Sequence, residues 1–168
     1  ISQSESDGQI SMHTVGIEET IQELRQIIAV GKVLSDKYHT VVTNPPYMDS
    51  GNMSANLSKY VKVNYESCKY DLFSVFIYKC IDLCKSIGTI GMITQHSWMF
   101  LGSYSNFRKN IISNTIVVNM AHLGAKAFDE ISGEVVQSTS FVLCKVCMSD
   151  YIGSYIRLLN GNSEFEKM

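Results

Sequence analysis

Three short β-branched runs, HTVVTN (39–44), TIGMIT (89–94) and TIVVNMAHL (115–123), are separated by stretches of helical character. This alternation limits the fold more than any other feature of the chain. Strands joined through helices cannot form hairpins, so they pair in parallel, with the connecting helices packed on the sheet. An α/β fold is expected, with a parallel sheet covered on both faces. The last two runs, STSFVLCKV (138–146) and GSYIRLL (153–159), have no helix between them and are expected to pair antiparallel at one edge.

The intervening segments carry their own signals. GIEETIQELRQIIAVGKVL (16–34) places Ile17, Ile21, Leu24 and Ile28 at helical spacing, with Gly31 as the expected stop. DLFSVFIYKCIDLCKSIG (71–88) is apolar almost all round and predicts a buried helix capped by Asp71 and ended at Gly88. SYSNFRKNIIS (103–113) predicts a short helix, and GAKAFDEISGEVVQ (124–137) a polar loop. MDSGNMSANLSKYVKVNYESCKY (48–70), rich in Ser and Asn, reads as a long loop with room for a helical turn. A loop of that length in a compact domain is usually functional.

Composition enters where it excludes function classes. With 168 residues, 45% hydrophobic and 18% charged, the chain can bury a core. We expect a flexible segment over 1–15 and one partial catalytic domain over 16–168, a piece of a longer protein. No run approaches the roughly 20 apolar residues of a membrane helix. The polar, acidic first twenty residues are not a secretory signal. A net charge of -2 is low for a chain that grips nucleic acid unaided. Five cysteines without a signal peptide point to a reducing cytoplasm. Cys144 and Cys147 form a CxxC on a strand, where residues three apart face opposite ways, so buried thiols are expected rather than a metal site.

The only two prolines, Pro45 and Pro46, stand together between Asn44 and Tyr47, at the carboxyl end of the first strand. Ligands of open α/β sheets bind at that end. A residue before proline is driven into extended conformation, and proline itself has no N–H. What remains is a stiff pair of acceptors, the Asn44 side-chain oxygen and the Pro45 carbonyl, beside the flat face of Tyr47. Two acceptors held apart suit a planar NH₂ group, and the aromatic face suits a planar ring. Such an arrangement acts by positioning and electrostatic stabilisation, without covalent catalysis.

VVTNPPY resembles the catalytic motif of amino-group methyltransferases that use S-adenosylmethionine. Together with DLFSVFI, GMITQHSWMFL, FRKNI and NMAHLGAKAFDEISGEVVQSTSFVL, it is similar to the large adenine-specific DNA methyltransferases of BREX-type phage-defence systems, the PglX family. The resemblance covers roughly residues 17–160. It implies a Rossmann-like class I S-adenosylmethionine-dependent methyltransferase fold. The C-terminal part of the sheet and an antiparallel terminal hairpin would be present, and the first strands and the glycine-rich cofactor loop would lie elsewhere. It implies methylation of the adenine amino group in double-stranded DNA after the base is flipped out. Other phage-defence proteins are implied as further partners.

Carried over residue by residue, Asn44, Pro45, Pro46 and Tyr47 are the catalytic positions. Tyr47 stacks on the base, with Phe128 on its other face, and Asn44 and Asp71 face the cofactor. A simple N-cap for Asp71 and a loop anchor for Phe128 stay open. Trp98 is expected to pack, and His96 and His122 need no catalytic role. Lys59, Lys62 and Lys69 are either solvated or close to phosphate. Two other functions also stay open: a methyltransferase of protein glutamine or RNA guanine, which uses the same four residues, and a catalytically silent DNA-binding module of a defence complex.

Overall fold

The computed structural model of the protein describes residues 12–125 and 136–160. The chain divides into two compact units, one ending at Asp36 and one starting at Lys37. The described residues of the first form one helix, α1 (Met12–Ser35). The helix runs past Gly31, contrary to expectation, because one interior glycine costs only about 1 kcal/mol and does not break a helix. It ends where the Ser35 hydroxyl turns back onto the Lys32 carbonyl at 3.0 Å.

The second unit opens with β1 (Tyr38–Thr43) and continues through α2 (Ala55–Asn64), α3 (Leu72–Leu83), β2 (Cys84–Gln95), α4 (Ser97–Phe100), α5 (Ser105–Asn114), β3 (Ile116–Gly124), β4 (Ser138–Cys144) and β5 (Ser154–Arg157). The five strands form one sheet in the order β1-β2-β4-β3-β5. β1 pairs parallel with β2, while β4 runs antiparallel between β2 and β3. β5 pairs parallel with β3, so the last two strands do not pair with each other as expected. β4 enters the sheet interior, where β2 and β3 satisfy both its edges, so β5 pairs instead with the outer edge of β3.

Burial alternates along β2 and β4. Ile90, Met92 and Thr94 are buried with Phe141 and Leu143 among the fully enclosed side chains, joined by Phe73 and Ile77 of α3 and Phe107 and Ile111 of α5. On the opposite face Gly91, Ile93, Ser140 and Val142 are only partly covered. Among the described residues of this unit the core therefore lies on one face, not on both.

Two further expectations are corrected. Residues 55–64 form a full helix rather than a loop with a turn. The Ser54 hydroxyl caps it by accepting from Leu57 N, and Val61 is buried beneath it. The apolar helix stops at Leu83, five residues before Gly88, and 84–88 open β2 instead. Gly88 is needed there for close approach: a Cβ would lie 2.6 Å from Cys84 Sγ and 2.8 Å from the His39 carbonyl oxygen of the neighbouring strand. Cys147 lies past the end of β4 and is exposed, so it is not the buried thiol expected. No helix of the described residues is long and apolar enough to cross a membrane.

Candidate active site

β1 ends at Thr43, and the next residues carry the motif. Thr43 pairs with Met92, so Asn44 emerges beside the carboxyl half of β2. Asn44 and Pro46 are exposed, Pro45 is buried and Tyr47 is half-buried. The Asn44 side chain makes no hydrogen bond among the described residues, which leaves its oxygen open as an acceptor. Burial of the Pro45 ring fixes the backbone on both sides of its carbonyl.

Tyr47 points inward. Its ring meets Phe73 edge-on, with centroids 6.1 Å apart and planes at 80°. Its hydroxyl is buried without a hydrogen-bond partner among the described residues. Burial raises the phenol above its ordinary pKa, a shift that the nearby Ser138 hydroxyl opposes. The phenol is thus held neutral, with its hydroxyl buried and the ring as a whole only half-covered.

The loop after Tyr47 is stitched to the start of α3. Met48 N donates to Asp71 Oδ1 at 3.0 Å, and Leu72 N donates to the Met48 carbonyl at 2.9 Å. Ser50 N donates to the Tyr70 carbonyl at 2.9 Å, and Asp49 and Asp71 form an antiparallel bridge. Asp71 is also the N-cap, accepting from Phe73 N at 3.2 Å. Burial pushes its carboxyl above the usual range, while the Phe73 and Met48 amides pull it down. One oxygen is committed to the two amides, and only Oδ2 remains for a ligand.

The other candidates separate. Phe128 lies outside the described residues. Trp98 is 4% exposed, donates from Nε1 to Thr94 Oγ1 at 3.1 Å and meets Phe141 edge-on, so it packs. His96 Nδ1 and His122 Nε2 are 2.8 Å apart, a contact between two strand ends that sequence alone did not join. Lys59 and Lys62 lie on α2, and Lys69 lines a groove on the helix side. Met48 and Phe73, which hold the motif in place, were missed. Met48 adjoins the motif, but its partner Asp71 lies 23 residues on, and Phe73 meets Tyr47 from 26 residues away, so neither role shows in local pattern. Among the described residues no cluster of three or more His, Cys, Asp or Glu side chains is arranged to hold a metal ion.

Residues 4–128 match the family model described as Eco57I restriction-modification methylase. The chain belongs to the Eco57I methylase family. Two curated relatives agree. The chain is 49% identical over 145 residues to the adenine-specific methyltransferase PglX of Lacticaseibacillus casei (strain Zhang), covering 86% of this chain and 12% of the relative. It is 37% identical over 150 residues to the adenine-specific methyltransferase BrxX of Escherichia coli O9:H4 (strain HS), covering 89% of this chain and 12% of the relative. The Eco57I-family chain thus spans about an eighth of the length of these relatives. Among solved structures, the DrdV–DNA complex superimposes with a TM-score of 0.63 at 17% identity, over 82% of this chain and 16% of that one. The sheet is part of the Rossmann-like methyltransferase fold.

Proposed function

We propose that this chain is the amino-group half of an adenine-specific DNA methyltransferase. The parent enzyme would transfer a methyl group from S-adenosylmethionine to the exocyclic nitrogen of adenine in double-stranded DNA. The observation that carries the proposal is an exposed, unpartnered Asn44 at the carboxyl end of a sheet strand, followed by a buried Pro45 and a half-buried Tyr47. The names of the two relatives support adenine as the target.

In this mechanism the flipped adenine lies against Tyr47, with Phe128 as the second aromatic. The Asn44 oxygen and the Pro45 carbonyl accept the two N–H bonds of the amino group. That turns the nitrogen lone pair, otherwise delocalised into the ring, toward the methyl donor. S-adenosylmethionine supplies a methyl carbon on a positively charged sulfur. Asn44 and the remaining Asp71 oxygen would contribute to holding it, with the other contacts outside this chain. Pro46 keeps the turn stiff and free of competing donors. The gain comes from fixed dipoles and positioning. Free cysteines throughout are consistent with a reducing cytoplasm as the working compartment, and other phage-defence proteins would be its partners.

The test is Asn44→Ala in the full-length enzyme, with adenine methylation of host DNA read by single-molecule sequencing. Methylation should disappear while the protein still folds. Persisting methylation at the wild-type sites would overturn the proposal.

A further inference from the structure

A groove of about 660 Å³ opens between the segment leading into α3 and the face of α5. Lys69 and Tyr70 line one side, and Asn106, Lys109 and Asn110 the other, with Glu66 as the only acidic lining residue. Ammonium, carboxamide and phenol groups are the donors that proteins place on phosphate and sugar oxygens. Among the described residues the ion pairs are Lys37–Asp82 and Lys79–Asp82, so neither Lys69 nor Lys109 is neutralised by a partner.

The charge distribution points the same way. The chain as a whole carries a net charge of -2, yet between residues 51 and 114 seven Lys and Arg face only three Asp and Glu. Of those three, Asp71 is 8% exposed and Asp82 is already paired with two lysines. Residues 51–114, which include most of the groove's lining, therefore carry a formal net charge of +4 (7 minus 3) on a weakly acidic chain. The groove is also joined to the motif, because the Tyr70 carbonyl on its wall accepts from Ser50 N, three residues past Tyr47.

We propose that this groove carries a stretch of the phosphodiester backbone of the DNA that enters the Asn44 site. The proposal rests on the DNA reading given above. Lys69 and Lys109 supply the charge, and Tyr70, Asn106 and Asn110 supply neutral hydrogen bonds. Base identity is read elsewhere.

The test uses the full-length enzyme and a duplex containing its methylation site, with binding followed by anisotropy over a salt series. In the double variant Lys69→Gln/Lys109→Gln the slope of log K against log salt should become shallower by about 1 to 2. Lys69→Arg/Lys109→Arg should restore it. Lys85→Gln removes one charge at the start of β2, outside the groove lining, and should leave the slope as it is. An unchanged slope in the Gln pair, or an equal fall with Lys85→Gln, would overturn the proposal. If the wild-type enzyme binds and methylates DNA while the Gln pair keeps the full slope, the groove assignment alone fails. If the wild-type enzyme binds no duplex, the groove and the DNA reading fail together.

Discussion

The amide of Met48 and the amide of Phe73 converge on one oxygen, Asp71 Oδ1, at 3.0 and 3.2 Å. The first lies just past the Asn-Pro-Pro-Tyr turn, and the second is in the first turn of a buried helix. A single carboxylate thus caps a helix and pins the loop that follows the candidate catalytic motif. Two backbone bonds, to Tyr70 and Leu72, and the packing of Met48 and Met53 on the core fix the rest of the loop.

Replacing Asp71 with Ala leaves two amides without their acceptor in a site that is 8% exposed. The expected loss is about 1–3 kcal/mol, the range for a lost N-cap and an unsatisfied buried donor. Asp71→Asn keeps an acceptor oxygen in the same place and removes the cost of burying a charge, so it should lie within about 1 kcal/mol of wild type. Urea denaturation midpoints of the three proteins check both values. An Asn variant as damaged as the Ala variant would show that the charge, not the acceptor, matters.

Gly88 should not tolerate alanine. The added carbon would fall 2.8 Å from the His39 carbonyl oxygen and 2.6 Å from Cys84 Sγ, and a backbone oxygen cannot swing away. Gly88→Ala should cost about 1–3 kcal/mol by overpacking. At Gly91, in the same strand, the nearest atom is a Val42 methyl at 3.7 Å, so Gly91→Ala should be close to neutral. Thermal melting of the two variants side by side decides the matter.

The His96–His122 contact sets a pH dependence. Burial lowers the His96 pKa, and the neighbouring His122 lowers it further. Burial also lowers that of His122, with Arg157 adding to it. The folded state therefore takes up protons at lower pH than the unfolded state. As pH falls below about 6.5 the unfolded chain binds protons first, and stability drops until the folded-state values are passed. Above about 6.5 this contribution is absent. His122→Gln removes one titrating group and should flatten the fall between pH 5 and 7 by less than about one proton. Denaturation midpoints across that range measure the slope.

Much of the unit was legible from local pattern. The β-branched run of β1 followed by two prolines, the cap at Asp71 and the almost uniformly apolar run of α3 all act within a few residues, and the structure has each of them. α2 was hidden because it lies in a stretch, 48–70, rich in Ser and Asn, although Ser54, Leu57 and Val61 mark a capped helix face. The early end of α3 was hidden because a glycine after a helical run reads as a helix stop. At Gly88 the glycine answers to a neighbouring strand that the pattern cannot see.

The sequence by itself determined the chemistry on offer. Two acceptors beside an aromatic, with no competing donors, follow from the covalent structure of Asn-Pro-Pro-Tyr. It also determined the class of the fold, because strand and helix periods alternate. Only the tertiary structure decided where the pieces meet: β4 between β2 and β3, Met48 on Asp71, His96 against His122, Lys69 across a groove from Lys109. These contacts join residues far apart in the chain. Their energies depend on burial and shape complementarity, and a local pattern carries neither.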